Sequence, residues 1–303
     1  MSARAWSLLL LLSFIWGSSF YIVEVGLVFL DPFWLVSLRV VTGAVVLNTG
    51  LYLAGHRLPN SRAFWGGCLV IGLLNNILPF TFLAIGQQSV TGGVASILNA
   101  NTAFFGVIVA AIFLRSEPLY PHRLVGVIIG VMGVVIAIGP SALLTLDVSS
   151  AGQFFIILAT LCYSFATVWG KLKLSSYPAL SVAAAMLVCS AMMSVPTALV
   201  MSGPPPVEMF LPANRLGLLQ VIIGIGVFCT ALAYPIYFKI LALAGASNLS
   251  LVTIIIPVFA ISLDAALLGQ FVTSQEVMGF GLVVVGLAVM DGRILTLLGV
   301  RRG

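Results

Sequence analysis

The chain has 303 residues, of which 61% are hydrophobic and 7% charged, and its mean hydropathy is +1.21. Soluble domains carry roughly 25% charged residues, so a water-soluble fold is excluded, whereas a bilayer accepts such a composition at about 20 residues per spanning helix. The formal net charge of +5 does not point to nucleic acid, because the 13 basic residues are scattered among short connections in neither a stripe nor a cluster.

In chain order, apolar runs bounded by charges, proline or glycine predict ten helices. They lie at about 5–28, 33–54, 64–86, 91–114, 123–140, 151–170, 178–201, 216–240, 246–268 and 277–297. None alternates as a barrel strand does, and helices are the remaining way to satisfy a backbone in lipid. The expected class is an all-α polytopic membrane protein. The first run, with Arg4 before Leu8 to Leu12, imitates a signal peptide. It has no A-x-A site and continues through Trp16 and Phe20, so it reads as a retained span. Cys68, Cys162, Cys189 and Cys229 sit inside apolar runs without CxxC spacing. They read as small packing residues, and no metal or other cofactor is expected.

Basic residues set the orientation, since Lys and Arg are held on the cytoplasmic side. With the N-terminus inside, Arg4, Arg57, Arg62, Arg115, Arg123, Lys171, Lys173, Lys239, Arg293, Arg301 and Arg302 fall on one side, and Arg215 on the other. A lost or invented helix would scramble this division. Both termini are expected in the cytoplasm.

The segment Gly126 to Gly139 returns, loosely copied, as Gly279 to Gly292, with Gly126, Gly133 and Gly139 matching Gly279, Gly286 and Gly292 at one offset. Pro32 aligns with Pro178, Pro79 with Pro235 and Ala103 with Pro257, allowing small shifts. The chain therefore divides into repeats over 1–145 and 146–303. Five spans per repeat is an odd number, so the second repeat starts on the opposite side and lies inverted. The basic connection from Arg115 to Arg123 fits this, because its counterpart Gly269 to Glu276 has no basic residue. Inverted repeats are a transporter architecture, with the substrate site near the midplane and alternating access around it.

Five motifs carry a family resemblance: Trp16-Gly17-Ser18-Ser19-Phe20, Pro32 with Arg39, Thr102-Ala103-Phe104 leading to Glu117, Pro257-Val258-Phe259, and Gly269-Gln270. Over essentially its whole length the chain resembles the EamA-type transporters of the drug/metabolite transporter superfamily, with the YddG-like amino-acid exporters the nearest branch. Where the family pattern has Pro and Glu, this chain has Ala103 and Gln270. The resemblance implies export of amino acids and other small metabolites. It also implies helices 5 and 10 as outer supports around a cavity lined by helices such as 1, 3, 4, 6, 8 and 9.

Polar residues gather near the helix centres: Trp16, Ser18 and Ser19; Asn75 and Asn76; Ser96, Asn99, Asn101 and Thr102; Thr160, Tyr163 and Thr167. An unpartnered amide costs several kcal/mol in hydrocarbon, so these asparagines must face a neighbour, water or ligand. Two readings stand: a site holding the polar ends of a zwitterion, or hydrogen bonds between helices. The candidate substrate-binding residues are Asn101, first among them, with Asn75, Asn76, Asn99, Trp16, Tyr163, Tyr234 and Phe80. Thr230, Tyr234 and Tyr237 share one helical face, and with Trp169 they extend a candidate aromatic wall. Asn248, Ser250 and Thr253 either line a pathway or cap a helix.

Glu24, Arg39 and Asp264 fall in the outer third of their spans, as a gate-closing pair or as snorkelling ions. No ionisable residue lies near a helix centre, which favours facilitated or exchange-type movement. Gly126, Gly130, Gly133, Gly279, Gly281 and Gly286 permit close helix approach, read as packing within a monomer. Gly92-Gly93, Pro79, Pro235 and Pro257 are candidate hinges. There is no HExxH, GxSxG or acid dyad, so the chain is not read as an enzyme. The expected function is a secondary transporter of the bacterial inner membrane that exports small metabolites, foremost amino acids. Its partners are the bilayer and a small-molecule substrate. The alternative is an exporter of organic cations or drugs.

Overall fold

The computed structural model describes residues 2–114, 119–138, 148–249 and 251–291. Glu117, Gly139, Ser250, Gly292, four of the basic residues used for orientation and the expected repeat boundary lie outside them. Among the described residues nine helices are long and apolar enough to cross a membrane, and a tenth is shorter. In chain order they are α1 Ala3–Leu27, α2 Pro32–Leu53, α3 Arg62–Gly86, α4 Gly92–Phe113, α5 Pro121–Ile138, α6 Ala151–Lys173, α7 Ala179–Ser202, α8 Pro212–Ala244, α9 Leu251–Leu268 and α10 Ser274–Asp291. Exposed Ile112, Met192, Val200 and Leu216 on their outer faces are surface that lipid covers.

Local chemistry starts several helices where the sequence reading placed them. Asp31 caps α2 by accepting from the amides of Phe33 at 2.9 Å and Trp34 at 3.2 Å, with Pro32 at the first helical position. The same oxygen accepts from Ser202 Oγ at 2.6 Å, which ties the start of α2 to the end of α7. Thr273 and Glu276 bond reciprocally at the start of α10, a capping box.

Wide turns replace regular α-helix at Leu73–Ile77 in α3, Gln220–Leu232 in α8 and Asp264–Leu268 in α9. The first two end close before Pro79 and Pro235. Proline lacks an amide hydrogen and crowds the carbonyl four residues back, and a widened turn relieves that conflict. Both repeats carry this feature on corresponding helices.

The repeats meet as a pseudo-twofold pair. α5 packs on α10 and α2 on α7, while α1 against α9 and α8 mirrors α6 against α4 and α3. The glycine seam shows the direction. A Cβ on Gly126 would lie 2.6 Å from the Gly286 carbonyl oxygen, and one on Gly133 would lie 2.7 Å from that of Gly279. Each glycine of one copy thus touches the counterpart of the other glycine of its pair, which requires α5 and α10 to run antiparallel. The repeats are inverted, and these glycines pack within the chain. Gly281 differs, since no described residue lies within 4 Å of a Cβ built there.

Candidate functional site

Between the repeats lies a cavity of about 650 Å³, within the range of small-molecule sites. Its wall comes from α1, α2, α3, α4, α6, α7, α8 and α9; α5 and α10 stay outside, as the resemblance implied. At one end the lining runs to the exposed Lys171 in the last turn of α6 and to Ser175 in the connection from α6 to α7. The cavity therefore opens at the end where the basic residues cluster. At the other end it stops at Val23, Leu35 and Gln87.

The wall is mixed. Trp16 stands 5.8 Å from Tyr237 between ring centroids, and Phe80 stands 6.5 Å from Tyr163. The Trp16 indole donates to the Cys229 carbonyl at 3.2 Å, which fixes the ring at the α1–α8 contact. Asn75 Nδ2 donates to Tyr234 Oη at 3.4 Å and to Asn76 Oδ1 at 3.3 Å. Asn99 lines the cavity with a buried side-chain oxygen that has no hydrogen-bond partner among the described residues. Thr102, Thr167 and Thr253 add hydroxyls.

Of the predicted substrate residues, Trp16, Asn75, Phe80, Asn99, Tyr163 and Tyr234 lie on this wall, while Asn76 and Asn101 do not. Asn76 is fully buried and donates to Ser190 Oγ at 2.9 Å across the α3–α7 contact. Asn101 is 2% exposed and donates to the Leu98 carbonyl at 2.8 Å. α4 is interrupted at Ala100, and Asn101 takes up a carbonyl at the break, as Thr102 does for Asn99 at 2.8 Å. These two amides serve the backbone and a helix contact. Trp169 is also off the wall, its indole donating to the Gly67 carbonyl at 3.1 Å. Asn248 donates to the Ala244 carbonyl at 2.8 Å, so it closes the end of α8.

Arg39, which the sequence offers as a gating residue, lies on the cavity wall. Its Nε donates to Thr230 Oγ1 at 3.2 Å, and its guanidinium carbon lies 3.5 Å from the Phe80 ring centroid. Thr230 donates in turn to the Ile225 carbonyl at 2.8 Å, a five-residue reach that the wide turn of α8 permits. Close approach of α2 and α8 makes this contact: a Cβ on Gly43 would meet Thr230 Cγ2 at 2.6 Å.

Of the two readings, the pairing of Arg39 with Glu24 or Asp264 is not formed among the described residues. Both acids instead hold the N-terminus of α4, just beyond the closed end of the cavity. Glu24 accepts from the Gly92 amide at 3.1 Å, and Asp264 from the Gly93 amide at 2.5 Å. A positive helix end attracts carboxylates, and here it draws one from α1 and one from α9. Gly269, with φ of +66°, ends α9 in a left-handed turn. Beyond that turn Gln270 Nε2 donates to Glu24 Oε1 at 2.5 Å. Gln87 donates to the Phe20 carbonyl at 2.9 Å nearby. Asp264→Ala strands the buried Gly93 amide and is expected to weaken this closure by about 1–3 kcal/mol. Faster thiol labelling of a cysteine placed at Val23 is the check.

A family model described as the EamA-like transporter family matches the chain twice, over residues 4–139 and 150–290. The chain belongs to that family. Among its relatives, an uncharacterized transporter of Archaeoglobus fulgidus is 27% identical over 297 residues, covering 95% of this chain and 98% of that protein. The uncharacterized inner membrane transporter YedA of Escherichia coli is 23% identical, covering 89% of this chain and 85% of its own. A probable amino-acid metabolite efflux pump of Salmonella typhimurium is 23% identical, covering 95% of both. A solved crystal structure superposes with a TM-score of 0.67 at 18% identity, covering 99% of this chain and 100% of that one, which supports the fold. Two matches in one chain agree with the duplicated architecture, and the EamA-like chain is a multi-pass membrane transporter.

Proposed function

We propose that this EamA-like protein exports amino acids, neutral and aromatic ones foremost, across the bacterial inner membrane. The observation that carries this is the cavity at the seam of the inverted repeats, open at one end and closed at the other. Alternating access needs such a site, exposed to one side at a time. Orienting the basic end toward the cytoplasm puts both termini inside and makes this the inward-open form, loaded from the cell. Asn75, Asn99 and the hydroxyls take the polar end of the solute, while Trp16, Phe80, Tyr163 and Tyr234 pack against its side chain. Glu24, Asp264 and Gln270 close the outer end around α4, and the protein works as a monomer. The efflux-pump name of the Salmonella relative is in keeping with this substrate class.

Export of organic cations is the second reading. It is disfavoured because, among the described residues, the cavity lining contains Arg39 and Lys171 but no Asp or Glu. Purified protein in proteoliposomes is expected to show counterflow of labelled neutral amino acids that unlabelled amino acids inhibit. Counterflow of quaternary amines with no response to any amino acid would reverse the order of the two readings.

A further inference from the structure

Among the described residues Arg39 is a buried ion without an ionic partner. It lies seven residues into α2, about 10 Å along the axis from Pro32, and is 8% exposed. Placing a guanidinium at that depth costs several kcal/mol, and such groups are ordinarily paired. Thr230 accepts one of its five N–H bonds at 3.2 Å, and Phe80 covers one face of its plane at 3.5 Å. Neither contact neutralises the charge. Glu24 and Asp264 are engaged with the amides of Gly92 and Gly93, and among the described residues no acid lines the cavity. The terminal nitrogens carry no hydrogen bond among the described residues, and neither is a buried atom without a partner. They therefore keep access to the cavity.

Chemistry narrows what this arrangement suits. A neutral donor would serve Thr230 equally well, so bonding α2 to α8 does not by itself call for a cation. Stacking on Phe80 fixes the guanidinium plane and leaves its terminal edge free. That edge matches the two oxygens of a planar acid group. Phe80 stacks edge-on with Tyr163 at 6.5 Å, so an apolar body attached to that acid group meets aromatic rings at once. We infer that Arg39 is the carboxylate-binding residue of the cavity and that the transported solute carries a carboxylate. This rests on reading the cavity as the transport site, and it extends to carboxylic acids that are not amino acids.

The test works whatever the natural cargo is. Binding of phenylalanine, 3-phenylpropanoate, phenylalaninamide and phenethylamine to the purified full-length protein is measured by titration calorimetry, with benzoate, lactate and succinate added to the panel. The best carboxylate is expected to bind about 10- to 100-fold more tightly than the matched amide or amine, the scale of a hydrogen bond to a charged group. In Arg39→Gln that preference is expected to fall below about twofold, with Arg39→Lys in between because it keeps charge but loses the fork. A role confined to holding α2 against α8 would lower affinity for all ligands alike and leave the preference intact. The inference is overturned if amines bind as well as acids, if no carboxylate binds saturably, or if Arg39→Gln keeps the preference. Should Arg39→Gln fail to fold, the wild-type series decides alone. Arg39-dependent selectivity for carboxylates without any phenylalanine counterflow supports the inference and removes the amino-acid reading.

Discussion

Leucine at both Gly126 and Gly133 is expected to destabilise the protein by about 2–6 kcal/mol, twice the usual cost of one overpacked site. A Cβ at Gly126 would lie 2.6 Å from both the Gly286 carbonyl oxygen and the Met290 amide nitrogen. One at Gly133 would lie 2.7 Å from the Gly279 carbonyl oxygen and the Val283 amide nitrogen. These neighbours are backbone, so no rotamer change relieves the clash, and α5 must move away from α10. Without an apolar driving force between helices in lipid, close packing is what holds such a pair together. Gly281→Ala is the internal control. With no described residue within 4 Å of its Cβ, it is expected to be neutral or to stabilise α10 by about 0.5–1 kcal/mol through helix propensity. Thermal unfolding followed by light scattering in one detergent compares the two variants. Equal melting temperatures would remove the seam as the clasp between repeats.

Replacing Asn99 and Tyr163 together with alanine is expected to lower transport about 10- to 100-fold while the protein still folds. The estimate sums the loss of a polar contact and an aromatic contact at the wall. Asn99 brings to the cavity a buried oxygen without a partner among the described residues, and Tyr163 packs against Phe80 beside Arg39. Asn101→Ala is expected to do the reverse. It deletes the 2.8 Å bond to the Leu98 carbonyl at the break in α4, so it lowers the melting temperature and leaves the concentration dependence of counterflow unchanged. Initial counterflow rates in proteoliposomes, paired with melting curves, separate the two effects. If Asn101→Ala raises the half-saturating concentration and the double variant does not, the wall has been assigned to the wrong asparagines.

Residue type and approximate depth were readable along the chain, but helical phase was not. Asn75 and Asn76 are adjacent, so one had to face elsewhere, and the wide turn at Leu73–Ile77 disturbs the regular phase that a pattern reading assumes. Asn99 and Asn101 straddle the break at Ala100, which likewise resets the phase between them. Arg39 was visible as an intramembrane ion. Its partner was not, because Thr230 comes from the other repeat and is brought near by the close approach at Gly43. Gln270 drew notice only as a departure from a family pattern. Its bond to Glu24 depends on a left-handed turn at Gly269 that orients the chain after α9.

By itself the sequence determined the spans, their duplication and the inversion of the second repeat. Hydrophobic length, a constant glycine offset and the odd number of spans are one-dimensional properties that lipid enforces without reference to neighbours. Tertiary structure alone decided which polar groups face the cavity and which serve a backbone carbonyl. In a membrane interior both uses satisfy the same hydrogen-bonding demand, and only the packing of one helix against another tells them apart.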